Sequence, residues 1–160
     1  MSGQGAASLV WTLPESWKEE TPKNPMRRAQ FRVPGVGQGE DGECVVFYFG
    51  PGQGGARESN ASRWVDQFTQ PDGSSSQGRA KIQMRSVEGK EVMFVEVKGV
   101  YHSSAMGGMP AEPSPGYALL GAIVEGPDAP WFFKFTGPEK TVEANRKAFE
   151  LLIASVHPGS

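Results

Sequence analysis

Cysteine and histidine are scarce in this sequence, which limits the chemistry that it can carry. Cys44 is the one cysteine among 160 residues, so an internal disulfide is excluded. It opens an apolar run, where a packed thiol is more typical than a nucleophile. Of the two histidines, His157 lies in the C-terminal tail and His102 begins a loop. A Gly-x-Ser-x-Gly motif and paired carboxylates are also missing, so we predict that the protein is not an enzyme.

The sequence also lacks an excess of either charge and any long apolar run. Lys and Arg together number 16 and Asp and Glu 18, which gives a net charge of -2. A basic surface able to hold nucleic acid is therefore not expected, nor is a basic amphipathic helix for a membrane surface. Apolar runs are too short for a transmembrane helix. We expect neither a nucleic-acid partner nor a membrane span.

The first eight residues are small and polar, and we expect residues 1–8 to form a disordered linker. A single domain over residues 9–157 would follow it. Such a start is typical of an exported bacterial protein, periplasmic or extracellular, whose signal has been removed, as in a lipoprotein. A native start in the cytoplasm fits the same residues.

Several segments have the pattern of β-strands. Two of them, 44–49 and 117–124, are apolar on both faces and are predicted to be central strands. Half-exposed strands are indicated where apolar and polar residues alternate, and shorter apolar runs indicate two further strands. The alternating segments are 27–33, 80–85 and 91–101, and the shorter runs are 9–13 and 131–135. Between them we expect loops at 18–25 and 102–116 and a mobile connection at 71–78.

Two helices are predicted. The first begins near Ser59 or Asn60 and ends near Thr69, with Trp64, Val65 and Phe68 as its apolar side. The second is a long C-terminal helix that opens at Gly137-Pro138. Its apolar stripe consists of Val142, Phe149, Leu152, Ile153 and Val156. Asn145 falls on this stripe, and we expect it at a boundary position rather than in a satisfied polar contact.

This element order predicts an α+β fold, an α/β/α sandwich. Its central, mostly antiparallel sheet would have about six or seven strands, with one middle helix and one long C-terminal helix. The N-terminal tryptophan, the strand meander, the Trp131-Phe-Phe-Lys134 hairpin and the final helix resemble the PsbP-like family, that of the photosystem II extrinsic P subunit, and its Ran-binding relatives. The resemblance implies a sandwich fold and binding of protein partners, sometimes with metal help, without catalysis. It transfers no ligand residue to this chain.

One loop carries candidate metal ligands. His102, Met106 and Met109 lie close in sequence, and an imidazole with two thioethers suits Cu(I). Methionine is also a common apolar anchor for a loop packed over a core, and we favour that interpretation. We therefore predict no cofactor.

A glycine-rich turn, 50–55, has the position of a phosphate-binding loop between a strand and a helix. It lacks the Lys-Ser/Thr pair of a P-loop, since Ala56-Arg57 follows. We favour a connection that needs positive φ angles, although Arg57 and the helix start could together bind an anion.

Two functions are compatible with these features. The favoured hypothesis is a non-catalytic accessory or protein-binding domain, with an unknown protein partner. The alternative is a small-ligand or copper-binding protein that uses the loop 102–116.

Anaerobic titration with Cu(I) tests the alternative. A site in the loop would bind about one equivalent, and Met106→Leu combined with Met109→Leu would weaken it strongly, because leucine keeps the volume but deletes the sulfur. We expect no stoichiometric binding by the parent protein, since three candidate ligands are few. Stoichiometric binding that the double variant loses would contradict this expectation.

Overall fold

An eight-stranded sheet with antiparallel strand pairs carries the protein core. The structure is a computed structural model, and it describes residues 9–22, 27–36, 40–50, 52–102, 113–126 and 129–158. The predicted linker 1–8 lies outside these residues. In chain order the strands are β1 (Leu9–Val10), β2 (Lys18–Glu20), β3 (Arg27–Val33), β4 (Gly42–Phe47), β5 (Phe68–Thr69), β6 (Lys81–Val87), β7 (Lys90–Tyr101), β8 (Ser114–Glu125), β9 (Pro130–Pro138) and β10 (His157–Pro158).

The order of strands across the sheet is β2-β3-β4-β9-β8-β7. The long strand β7 then pairs with β5 at one end and with β6 at the other. The remaining two strands, β1 and β10, form a separate two-stranded ladder near the ends of the chain. The predicted α+β class with an antiparallel sheet is confirmed, although the sheet has more strands than expected.

Within the described residues, three helices pack on this sheet. They are α1 (Arg57–Asp66), α2 (Glu139–Ala144) and α3 (Arg146–Ser155). Trp64 and Val65 of α1 belong to one apolar cluster, together with Val95 and Ile123 of the sheet. The other cluster joins α3 to the sheet through side chains such as Phe149. In the described part of the chain, no helix has the length and apolar character needed to cross a membrane.

The strand β8 explains why both faces of the sheet need cover. Residues 118–124 of this strand are all buried, as the sequence predicted. Leu119 and Ile123 point to the α1 side, whereas Leu120 and Ala122 point to the α3 side. Between them, Gly121 lies under the ring of Trp64, and a Cβ there would come within 2.5 Å of the indole carbon Cζ3. Glycine is therefore required where α1 approaches the sheet most closely.

The predicted long C-terminal helix is in fact two helices that meet at Asn145. This residue has φ -107° and ψ 10°, outside helical geometry. Its side chain accepts a hydrogen bond from the Trp17 indole nitrogen at 3.1 Å and donates one to the Thr141 carbonyl at 2.9 Å. The expected boundary position was wrong, because Asn145 makes a satisfied polar contact that joins the N-terminal segment to the helix break.

Other differences concern the ends of elements. Helix α1 begins at Arg57, two residues before the predicted cap, and Phe68–Thr69 is strand β5 rather than helix. The predicted loop at 18–25 contains strand β2, and its residues 23–26 lie outside the described residues. The connection 71–78 is packed, since Ser76 is fully buried and its hydroxyl accepts a hydrogen bond from Gln70.

The largest difference in burial concerns β6. Alternation over 80–85 predicted a half-exposed strand, yet its apolar residues Ile82 and Met84 have exposed fractions of 47% and 43%. They lie opposite Val95 and Met93, which are buried beneath α1. Because β6 is one strand further from the helix, α1 does not reach over it.

Truncation of Phe149 should be among the most destabilising substitutions. Phe149 is 1% exposed and its ring lies 5.9 Å from that of Phe135, measured between centroids. Phe149→Ala should lower the free energy of unfolding by about 3–5 kcal/mol, because it leaves a cavity beneath α3. Urea denaturation measures this loss.

Leu151→Ala is the matched control, since Leu151 lies on the same helix and is 64% exposed. Its effect should stay within about 0.5 kcal/mol. Equal losses in the two variants would contradict the assigned packing of α3.

Candidate functional site

The candidate copper ligands fall largely outside the described residues. Met106 and Met109 belong to 103–112, so the predicted site stays a prediction. His102 is described, and its ring nitrogen Nε2 lies 2.9 Å from the Thr69 hydroxyl. Its backbone N–H donates to the Gln67 carbonyl at 2.7 Å. Within the described part of the chain, no group of three His, Cys, Asp or Glu side chains has metal-binding geometry.

The glycine-rich turn has the conformation predicted for it. Gly50, Gly52, Gly54 and Gly55 all have positive φ angles. The side-chain amide of Asn60 donates hydrogen bonds to the carbonyls of Gly54 and Ala56, which joins the end of the turn to the start of α1.

The cation that follows this turn is already paired. The Arg57 guanidinium lies in ion pairs with Glu91 and, at 3.2 Å, with Glu125. The hydrogen bond to Glu91 is the main cause of its raised pKa. Arg57 therefore fastens α1 to the strands β7 and β8.

The single cysteine is a packed side chain, as predicted. Cys44 is 0% exposed and belongs to the apolar cluster on the α3 side. Burial, with a smaller effect of Glu43, raises the pKa of its thiol. A thiol held in its protonated form is a poor nucleophile.

A polar cluster that the sequence analysis missed lies on the α1 side of β9. Lys134 donates a hydrogen bond to the side-chain oxygen of Gln67, and its Nζ lies 5.5 Å from the ring centroid of Tyr101. Burial lowers the pKa of Lys134 to about 8; Arg27 acts in the same direction and Glu43 opposes it. Successive side chains of a strand point to opposite faces, so the predicted strand 131–135 places Lys134 on the same face as Phe132. This is the one indication of the cluster in the sequence.

Tyr101 in this cluster is perturbed as well. Burial, and then the charge of Glu43, raises the pKa of Tyr101 to about 12. A hydrogen bond with Thr136 acts in the opposite direction. The pKa of Lys134 is lowered and that of Tyr101 raised, so both shifts are towards the neutral form, as expected where side chains are removed from water.

Next to this cluster, the strands β2, β3 and β4 carry a ladder of opposite charges. Arg32 pairs with Glu20 at 2.8 Å, and Arg27 pairs with Glu43 at 3.2 Å. Gln30, which is 1% exposed, connects the two pairs through hydrogen bonds to Arg27 and Glu20. These charges neutralise one another within the fold.

A groove with a different charge pattern lies between the β6–β7 hairpin and α3. Its lining includes Lys81, Gln83, Arg85 and Phe94 from the hairpin and Arg146 from α3. Arg146 is bound to the carboxylates of Glu96 and Glu143, and these hydrogen bonds raise its pKa.

The two cations of β6 differ from Arg146. Lys81 lies opposite Glu96 in the sheet, but Arg146 holds that carboxylate with two nitrogens. Arg85 lies over the Phe94 ring, 5.0 Å from its centroid. Among the described residues, neither Lys81 nor Arg85 forms an ion pair with a carboxylate.

Comparison with solved structures connects this architecture to a known fold. The solution structure of cyanobacterial PsbP (CyanoP) from Synechocystis sp. PCC 6803 matches with a TM-score of 0.52 and 13% sequence identity. The match covers 99% of this chain and 96% of the cyanobacterial chain. The fold is PsbP-like. The resemblance seen in the sequence is thereby confirmed at the level of the fold.

A second structure supports the PsbP-like fold. The crystal structure of PA94 from Pseudomonas aeruginosa, a protein of unknown function, matches with a TM-score of 0.52 and 12% identity. Here 95% of this chain and 98% of the other are covered. No family model and no curated protein matches the sequence. At these identities the likeness concerns the PsbP-like fold alone.

The buried amine of Lys134 should make stability depend on pH. Its pKa is about 8 in the folded protein and 10.5 ordinarily, so between these values the unfolded chain binds more protons. The free energy of unfolding should therefore rise as the pH increases from about 8 towards 10. Lys134→Met should flatten this rise and stabilise the protein at pH 7 by about 1–3 kcal/mol. Urea denaturation at pH 7 and pH 9.5 measures both effects.

Lys140→Met, at an exposed position on α2, is the control and should keep the parent's pH dependence. If Lys134→Met retained the parent's slope, the amine would not be buried as described.

Proposed function

We propose that this protein is a non-catalytic accessory domain that binds a protein partner, and that it belongs to an exported bacterial protein. The observation that supports this most directly is the surface of β6. Ile82 and Met84 are large apolar side chains that remain exposed, and Lys81 and Arg85 beside them lack carboxylate partners in the described residues. Exposed apolar side chains rimmed by polar ones are typical of protein-binding sites.

Charged side chains at two other surfaces are paired with one another and have a structural role. Arg57 is paired with Glu91 and Glu125, and the ladder on β2, β3 and β4 joins cations to carboxylates. Side chains in such pairs orient one another and hold elements together. On β6, by contrast, Lys81 and Arg85 lack such partners among the described residues and lie beside exposed apolar side chains.

The PsbP-like fold adds a second line of support. The family resemblance in the sequence implies binding of protein partners without catalysis, and the likeness of fold extends over nearly the whole chain. The exported location is part of the same proposal.

Site-specific photocrosslinking tests the proposal. A benzophenone amino acid would replace Ile82 or Met84, and the purified protein would be irradiated in extract of the source organism. We expect one discrete protein to be crosslinked from both positions, because they lie on one face of β6. Mass spectrometry identifies it, and the purified partner should then bind the parent protein directly.

The benzophenone amino acid placed at Leu151 or at Arg32 provides the control, since both of these side chains are exposed on other surfaces. A partner crosslinked from one of these positions alone would keep the binding function but contradict the assignment of β6. Robust turnover in a hydrolase screen, abolished by a single polar substitution, would overturn the non-catalytic proposal.

A further inference from the structure

Strand β6 forms the free edge of the β6–β7 hairpin in the described part of the chain. Its seven residues pair with β7, and the described residues place no strand on the opposite edge. The turn is tight, since Val87 pairs with Lys90 and both intervening residues, Glu88 and Gly89, have positive φ angles. At such an edge, alternate residues direct their backbone N–H and C=O groups away from the sheet. These groups can pair with a further strand.

The two faces of this edge differ in chemistry. Ile82 and Met84 extend the apolar strip of Val95 and Met93 beyond the reach of α1. Lys81, Gln83 and Arg85 point to the other face, next to the groove below α3. In a strand added at this edge, every second side chain would contact the apolar face, and the side chains between them would lie next to the cations.

From this arrangement we infer that β6 binds an extended segment of the partner as an added strand, in which apolar residues alternate with Asp or Glu. The inference rests on the proposed protein-binding function and names the chemistry of the partner. Apolar side chains of the segment cover Ile82 and Met84, and its carboxylates lie next to Lys81 and Arg85. Main-chain hydrogen bonds supply affinity, and the alternation supplies specificity.

A second copy of this chain fits the edge less well. Two copies that pair antiparallel around Gln83 set Lys81 of one copy opposite Arg85 of the other, on the same face. Like charges directly opposite in a sheet are destabilising. The cations thus disfavour pairing between copies, which is a general role of charged residues on edge strands, while they favour an acidic strand.

Synthetic peptides provide the probe for this inference. A fluorescein-labelled peptide, Glu-Val-Glu-Ile-Asp-Val-Glu, is compared with its counterpart in which every acidic residue is lysine. Fluorescence anisotropy at low salt measures binding to the full chain. We expect the acidic peptide to bind roughly tenfold more tightly than the basic one, and the difference to shrink as salt is added.

A double charge reversal separates the side-chain effect from general attraction. Lys81→Glu with Arg85→Glu should reverse the preference, so that the basic peptide binds more tightly. Lys140→Glu with Lys147→Glu makes the same change in net charge at exposed positions on α2 and α3 and should leave the preference unchanged. Circular dichroism confirms that each variant is folded. A preference that does not reverse, or that reverses in the control, overturns the inference.

N-methylation of the peptide backbone tests strand addition itself. One acidic peptide carries N-methyl groups on its apolar residues and another on its acidic residues. In an antiparallel pair, residues of one parity donate to β6 and those of the other parity face away. Because Val87 pairs with Lys90 across the turn, Ile82 and Met84 direct their backbone groups to the free edge, and the apolar peptide residues opposite them donate to β6. We therefore expect the peptide methylated on its acidic residues to bind and the one methylated on its apolar residues to fail. Equal binding by both, or by neither, overturns strand addition.

The crosslinking and peptide experiments together distinguish failure of this inference from failure of the proposed function. A crosslinked partner together with failure of the peptide tests would leave a protein-binding domain and remove the acidic strand. Absence of any crosslinked partner would count against the proposed function, and the peptide results would then describe a property of the isolated edge.

Discussion

Burial of β8 on both of its faces is the constraint on which the rest of the structure depends. Successive residues of this strand face opposite sides, so Leu119 and Leu120 cannot be covered by the same layer. One layer must bring α1 onto the sheet, and the ring of Trp64 over Gly121 sets how closely it approaches. The other layer brings α3 and the N-terminal segment. With both faces occupied in the middle of the sheet, surfaces for binding are left towards its edges.

Two of those remaining surfaces treat charge differently. On β2, β3 and β4, cations and carboxylates alternate and are joined through Gln30, so their charges are satisfied within the chain. On β6, cations alternate with apolar side chains, and carboxylates do not neutralise them within the described residues. The first pattern joins cations to carboxylates within the chain, whereas the second leaves Lys81 and Arg85 without a carboxylate partner among the described residues. This contrast is why β6, rather than the larger charged ladder, carries the functional proposal.

The features that could be predicted from the sequence are those that depend on local pattern. Residues 117–124 are apolar without interruption, and a strand buried on both faces follows from that directly. The break at Asn145 could not be predicted in this way, because its partner Trp17 is distant in sequence. The exposure of Ile82 could not be predicted either, since alternation looks the same on a covered strand and on an uncovered one. Whether Ile82 is buried depends on how far the ten-residue helix α1 extends over the sheet, which is set by tertiary structure. Lys134 is similar, as its position on β9 was expected while its burial beside Tyr101 and Gln67 was not.

The order of strands also has a consequence for how the chain folds. From β6 to β9, each strand neighbours the next one both in the chain and in the sheet, so these contacts close short loops. The β4–β9 pairing instead joins Glu43 to Thr136, across more than half of the chain. Local pairings of this kind form faster than distant ones. We therefore expect the C-terminal meander to form the nucleus and the N-terminal strands to dock late, so that substitutions in β3 and β4 would change the unfolding rate more than the folding rate.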